Sequence, residues 1–354
     1  MPHLKNRPRR PRTAPSITAV KFAPSKTFQS GAEWQPHFAL FLCSQIGTRG
    51  RRSGAFTMGN LPALTAYCPR CATGLLALNS QWNSAMRLLL RSIHTLFLCL
   101  ATGFTLVRSF EHHQIYLPDH QQRSTPQAYH LAYEDVWFRT RDGVKLHGWW
   151  IPSDHDHAPI MLLCHGQGGN ISDRLNKVLR WHRLGATVFL FDYRGYGRSS
   201  GNPNERGLYR DAKAAYRYVR QRAPASPLFI YGTSLGGGVA TDLALHRYVT
   251  GLILEDTFTS IEDMARYRFP KLPVDWLVSE RFDNLSKISR IAVPVLFYHS
   301  IDDEVVPYAM GRRLYEHAHS PKRFITLRGS HDSAYSVSGD AYDAALVQFL
   351  QPSN

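Results

Sequence analysis

Three side chains, met in chain order, have the types and spacing that acyl-transfer chemistry needs. Gly232-Thr233-Ser234-Leu235-Gly236 directly follows the apolar run Leu228-Phe229-Ile230-Tyr231 and opens a helical stretch. That context puts Ser234 on a sharp strand-to-helix turn, a nucleophile elbow. A serine hydroxyl is a poor nucleophile at neutral pH, so it needs a base within hydrogen-bond reach, and the base needs a carboxylate to orient it. The partners should follow in the order acid, then histidine, each in a loop after a later strand. After Val295 to Tyr298 comes Ser300-Ile301-Asp302-Asp303-Glu304, and after Phe324 to Leu327 comes Gly329-Ser330-His331-Asp332. Ser234 is therefore expected as nucleophile, His331 as base and Asp303 as orienting acid. Residue types alone separate Asp303 poorly from Asp302 and Glu304. His246, His299, His317 and His319 are expected at the surface or in packing.

An oxyanion formed at such a serine needs two backbone N–H donors. Leu235, just after the nucleophile, supplies one. The loop His165-Gly166-Gln167-Gly168-Gly169-Asn170, which follows the run Pro159 to Cys164, supplies the other through Gln167. This glycine-rich loop has neither the GxxxxGK[ST] nor the GxGxxG spacing of a phosphate cradle, so no nucleotide and no cofactor is expected. Cys68-Pro-Arg-Cys71 has CxxC spacing, but no second pair follows it, and no metal is expected. Cys164 is alone in the body of the chain, so no disulfide forms there.

The elements that must carry these loops can be read from hydrophobic periodicity. Val136 to Thr140 and Val144 to Ile151 flank the turn Arg141-Asp142-Gly143 and read as a hairpin. Short apolar runs follow at Pro159 to Cys164, Ala186 to Phe191, Leu228 to Tyr231, Leu252 to Leu254, Val295 to Tyr298 and Phe324 to Leu327. Helical stretches separate them at Ser172 to Leu184, Glu205 to Arg222, Leu235 to Tyr248, Pro307 to His317 and Asp340 to Leu350. Continuous apolar runs suit strands buried on both faces, and intervening helices give the crossovers of a parallel sheet. The expected class is α/β over residues 129–351, with a mostly parallel sheet, helices on both faces and a small cap at about 257–291. Two cap helices are expected, Ile261 to Arg268 and Val274 to Phe282. Phe258, Met264, Phe269, Leu272, Trp276 and Leu277 are the candidates for an acyl lining, most of them expected in ordinary packing.

The chain has 354 residues and a formal charge of +15, but eleven basic side chains and only one acid, Glu33, fall within residues 1–85. That segment is broken by proline and glycine and lacks sustained periodicity; it reads as a disordered basic arm, or as sequence preceding a true start at Met86. The charge thus says little about substrate, and no nucleic-acid partner is expected. Leu88 to Val107 is a twenty-residue run whose only charge is Arg91, near its beginning. About twenty helical residues at ~1.5 Å rise cross a ~30 Å hydrocarbon core. Residues 86–110 are expected as a transmembrane signal anchor and 111–128 as a linker. Arg87, Arg91 and the basic arm put the N-terminus on the cytoplasmic side and the body on the outer side.

The body resembles membrane-anchored α/β-hydrolases of the bud-emergence type, which include α/β-hydrolase-domain proteins with acyl-thioesterase or lipase activity. The resemblance rests on His165-Gly-Gln-Gly-Gly-Asn170, Asp192-Tyr-Arg-Gly-Tyr-Gly-Arg-Ser199, Gly207-Leu-Tyr-Arg-Asp211, Tyr231-Gly-Thr-Ser-Leu-Gly-Gly237, Leu254-Glu-Asp-Thr-Phe258 and Asp303-Glu-Val-Val-Pro307. It covers about residues 86–350. It implies an α/β-hydrolase fold and favours Asp303, the acid immediately before Glu-Val-Val-Pro. The position of Gln167 is more often Asn in that family, a departure that leaves a backbone donor intact. The expected function is a membrane-anchored serine hydrolase that cleaves a carboxylic ester or thioester through an acyl-enzyme, with an acyl substrate and the bilayer as partners. The same three residues serve peptidases and amidases, and a non-catalytic membrane scaffold is the alternative from another class.

Overall fold

Alternation of side chains along buried strands divides the core into two apolar layers, one on each face of a sheet. In the computed structural model, Ile160, Leu162 and Cys164 of β4 (Ile160–Cys164) join one cluster, and Met161 and Leu163 join the other. The same alternation sorts β6 (Thr187–Phe191) and β7 (Leu228–Thr233): Phe189, Phe191, Leu228 and Ile230 face one way, Val188, Leu190, Phe229 and Tyr231 the other. Such strands must be covered on both sides, which is why their sequences are apolar throughout.

The structure describes residues 69–319 and 321–351, with side chains from Trp82 onward. The expectations for the basic arm up to residue 68 and for Cys68 lie outside the described residues. The chain divides into two units, Met1–Ser80 and Gln81–Asn354, and the first is described only over the start of helix α1 (Pro69–Ile115). The eight-stranded sheet has the order β10-β9-β8-β7-β4-β6-β3-β2. Here β2 is Glu134–Arg139, β3 Lys145–Ile151, β8 Gly251–Glu255, β9 Val295–Ser300 and β10 Lys322–Leu327. The β2/β3 hairpin and the β3/β6 pair are antiparallel; every other pairing is parallel. Helices α3 (Glu205–Arg222), α4 (Leu235–His246) and α8 (Tyr308–His317) cover one face, and α2 (Leu175–Arg183) and α10 (Gly339–Leu350) the other. A short helix, α9 (Ala334–Val337), follows the loop after β10.

The cap departs from expectation. Its first helix, α5, spans Ile261–Arg268, but the second, α6, stops at Val274–Leu277 rather than running to Phe282, and a further short helix α7 follows at Leu285–Ile288. The reason is competition for donors. The N–H groups of Ser279 and Glu280 bond to the Glu111 carboxylate, and those of Arg281 and Phe282 to the Glu205 carboxylate, so none is left for an i−4 carbonyl.

The stretch expected as a linker, 111–128, is tied into the body. Leu117–Pro118 (β1) pairs in parallel with Gly168–Gly169 (β5), the Asn170 amide donates to the carbonyls of Asp119 and Gln121, and Gln122 donates to Asp192. Within α1, the segment Trp82–Ile115 is long and apolar enough to cross a membrane, with a mean hydropathy of 1.5 in a window of which none is buried.

Close approach of α4 to β4 decides how the strand-to-helix turn is built. A Cβ placed on Gly236 would lie 2.0 Å from the carbonyl oxygen of Cys164 and 2.5 Å from that of His165. Both are backbone atoms with no rotamer to yield. Gly236→Ala should therefore cost about 1–3 kcal/mol, the usual range for overpacking, seen as a lower thermal midpoint. Gly168→Ala, whose Cβ would meet nothing within 4 Å, should be no less stable than the parent.

Candidate active site

Ser234 sits between β7 and α4 with φ 52° and ψ −120°, a conformation that L-residues other than glycine rarely adopt. Four hydrogen bonds hold it there. Its N–H donates to the Glu255 carbonyl at 3.0 Å; its carbonyl accepts from Gly237 N–H at 2.9 Å and from the Thr257 hydroxyl at 2.7 Å; and Gly232 and Gly236 let strand and helix close on each other. The fourth is Asp256 N–H to Tyr298 carbonyl at 3.0 Å, which ties the bracing loop to β9. The Ser234 hydroxyl has no hydrogen-bond partner among the described residues and lines a cavity of about 510 Å³ together with His331, Gly166, Gln167, Leu117, Arg174, Lys177 and Tyr335.

Opposite the serine, His331 Nδ1 donates to Asp303 Oδ2 at 2.8 Å. The Asp303 side chain is buried, and its other oxygen accepts the N–H groups of Val305 and Val306, each at 2.8 Å. The sequence left three acids open here, and contacts separate them. Asp302 accepts from Arg328 and from Gly329 N–H, and Glu304 accepts from His331 N–H, so these two hold the histidine loop by its backbone while Asp303 alone meets the ring. Burial pulls the His331 imidazole down, but the hydrogen bond and charge of Asp303 outweigh it and leave the ring above its ordinary value. Burial likewise raises Asp303, yet the donors from His331, Val306 and Val305 bring it below the usual carboxylate range.

The two expected oxyanion donors are both left without an acceptor among the described residues. Leu235 N–H is the first of α4, where no intrahelical acceptor exists, and Gln167 N–H makes no hydrogen bond among the described residues. The Gln167 carbonyl is pinned by Leu117 N–H at 3.1 Å and the Tyr196 hydroxyl at 2.8 Å, which fixes the direction of the loop. The candidate cap side chains do not line this cavity. None of Phe258, Met264, Phe269, Leu272, Trp276 and Leu277 borders the cavity: Phe258 is buried in the core, and Trp276, within α6, is exposed to solvent.

Reading by residue type missed the loop after β8. Thr257 braces the serine carbonyl, and Asp256, fully buried and itself at φ 46°, accepts from Ser300 N–H at 2.8 Å while its second oxygen has no partner among the described residues. Burial, with the neighbouring charge of Glu255, pushes Asp256 well above the carboxylate range. The available signal was Glu255-Asp256-Thr257 placed directly at the carboxyl end of a parallel strand. Asp256, Asp303 and His331 offer donor atoms within 4.8 Å of one another, the spacing a metal ion would need. Both Asp303 oxygens already accept from N–H donors. His299, buried behind them, bonds the Val306 carbonyl at 3.1 Å.

A parallel sheet wound with helices on both faces, carrying at its carboxyl edge a strained serine and a buried histidine-carboxylate pair, defines an α/β hydrolase. This chain belongs to the α/β-hydrolase superfamily. A family model described as serine aminopeptidase, S33, matches residues 155–287. The α/β-hydrolase domain-containing protein WAV2 of Arabidopsis thaliana is 32% identical over 280 residues, spanning 71% of this chain and 91% of its own length. Lysophosphatidylserine lipase ABHD12 of Danio rerio is 38% identical over 198 residues, 49% of this chain and 51% of its own. An esterase of Pyrococcus furiosus shares the fold with a TM-score of 0.57 at 20% identity, covering 67% of this chain and 98% of that one.

The electrostatics predict a titration. His331 should protonate above 6.5, and Asp303→Asn, which leaves burial unopposed by that carboxylate, should bring the midpoint down. Histidine ring signals followed by NMR across pH 5 to 9 check both; equal midpoints in the two proteins would contradict the assigned cause.

Proposed function

We propose that the chain is a membrane-anchored serine hydrolase that cleaves a carboxylic ester or thioester of an acyl chain. The observation that carries this reading is the shared cavity of Ser234 and His331, with the imidazole held from behind by Asp303. In the first step Ser234 Oγ attacks the acyl carbon and His331 Nε2 takes the hydroxyl proton. Negative charge gathers on the acyl oxygen, where the N–H groups of Leu235 and Gln167 receive it, aided by the positive end of α4. The carbon–oxygen or carbon–sulfur bond to the leaving group then breaks as His331 returns the proton to the departing alcohol or thiol. Water, deprotonated by the same imidazole, releases the acid and restores Ser234. No step calls for a cofactor.

The anchor reading rests on α1. Leu96, Phe97, Leu100 and Leu106 expose 60–65% of their surface, and covering such a stripe is what a bilayer does. Thr95 and Thr105 direct their hydroxyls to the carbonyls four residues back, satisfying them without water. The basic residues Arg87 and Arg91 favour a cytoplasmic N-terminus and an outward-facing body. An amide substrate is the second reading, favoured by the aminopeptidase description of the matching family model.

Ser234→Ala should lower the rate on a p-nitrophenyl acyl ester by at least ~10³-fold, since oxyanion binding alone leaves only residual catalysis. The same substitution should abolish labelling by a fluorophosphonate probe. Hydrolysis and labelling at the parent level would remove Ser234 from the mechanism, and faster turnover of the matched anilide than of the ester would favour the amide reading.

A further inference from the structure

The place where α1 meets the cap sets the depth of both. Leu88 to Val107, the apolar run, is twenty residues long, about 30 Å of helix, which matches the hydrocarbon core of a bilayer. The next residues of α1 hold the cap. Arg108 Nη1 donates to the Leu277 carbonyl at 3.0 Å, the Phe110 ring meets Phe269 edge-on with centroids 6.1 Å apart, and the Glu111 carboxylate accepts from Ser279 N–H, the Ser279 hydroxyl and Glu280 N–H. These three side chains lie one to four positions past Val107, or roughly 1.5 to 6 Å along the axis. The polar layer outside the hydrocarbon is itself only about 5–7 Å deep. A cap fastened there lies at the level of the lipid headgroups.

What the cap presents at that level is apolar and cationic. Trp276 is 88% exposed, Tyr267 65% and Leu272 50%, and they are spread over α5, α6 and the turn between them. Arg266 is neutralised by Glu262, Asp263 and Asp275, whereas Arg268 and Lys271 have no carboxylate partner among the described residues. An indole and a phenol at the rim of an apolar span, with unpaired cations beside them, have the chemistry of a headgroup layer, where amphipathic rings and basic side chains are both favoured. We propose that the cap is a second membrane-contacting surface, in which Trp276, Leu272 and Tyr267 seat in the headgroup layer of an anionic leaflet. The inference rests on the anchor reading of α1. It also narrows the substrate class: Leu117, two residues past the end of α1, lines the cavity of Ser234 and His331, so the site is held close above the leaflet and suits an acyl ester resident in it.

The full chain, reconstituted in phosphatidylglycerol and phosphatidylcholine vesicles whose acyl chains carry bromine near the headgroup, tests this by tryptophan quenching. The parent should lose more fluorescence to bromolipid than Trp276→Phe, since the helix residue Trp82 is common to both. In a second arm, Trp276→Ser combined with Leu272→Ser should lower kcat/KM on a vesicle-embedded acyl ester by about fivefold or more, as interfacial apolar area is lost, with hydrolysis of soluble p-nitrophenyl acetate unchanged. Equal quenching in parent and Trp276→Phe, in protein that resists alkaline carbonate extraction, would overturn the cap contact and leave the anchor standing. Release of the parent by carbonate would overturn the anchor and the cap contact with it. The quenching arm needs no turnover, so absence of hydrolysis would count against the enzymatic reading alone.

Discussion

The backbone of Ser234 is the constraint on which the rest of the site depends. A non-glycine residue at φ 52° and ψ −120° costs on the order of 1–3 kcal/mol and persists only where its surroundings over-determine it. Here the surroundings are long-range. The N–H of Ser234 is taken by Glu255, its carbonyl by Thr257, and α4 can begin at once because Gly236 permits contact with the backbone of β4. The strain thus places Ser234 at the edge of the sheet, where it lines the cavity.

Around this turn the acids are divided by solvation. Asp303 has an N–H donor for each oxygen and stays charged; Asp256, more deeply buried, has one donor among the described residues and is driven toward the neutral form. Two carboxylates cannot both ionise beside one imidazole at low cost, and hydrogen-bond supply decides which does. Asp302 and Glu304, adjacent in sequence, spend their charge on the backbone of the histidine loop. The acid that orients the ring is therefore selected by geometry among three that are chemically equivalent.

The segment after the apolar helix joins the cap to the cavity. Glu111 ends α6 by capturing two backbone donors, and Leu117 both lines the cavity and fixes the Gln167 carbonyl. A stretch that reads as a spacer because it lacks periodicity is, in the folded chain, bonded to the cap on one side and to the oxyanion loop on the other.

Much of the architecture could be read along the chain. Strands buried on both faces are continuous apolar runs, amphipathic helices repeat every three to four residues, and the loops at the carboxyl ends of parallel strands are where site residues gather, so Ser234, His331 and the acidic cluster stood out by position alone. The same local rules predicted a cap helix to Phe282, and there they failed. A helix needs its N–H groups for carbonyls four residues back; those of residues 279–282 meet the carboxylates of Glu111 and Glu205, which are remote in sequence. The choice of Asp303 over its neighbours, the neutrality of Asp256 and the bracing role of Thr257 belong to the same category. Periodicity and turn chemistry are properties of a few consecutive residues and are written in the sequence, whereas which donor meets which acceptor between residues remote in sequence exists only once the chain has closed on itself.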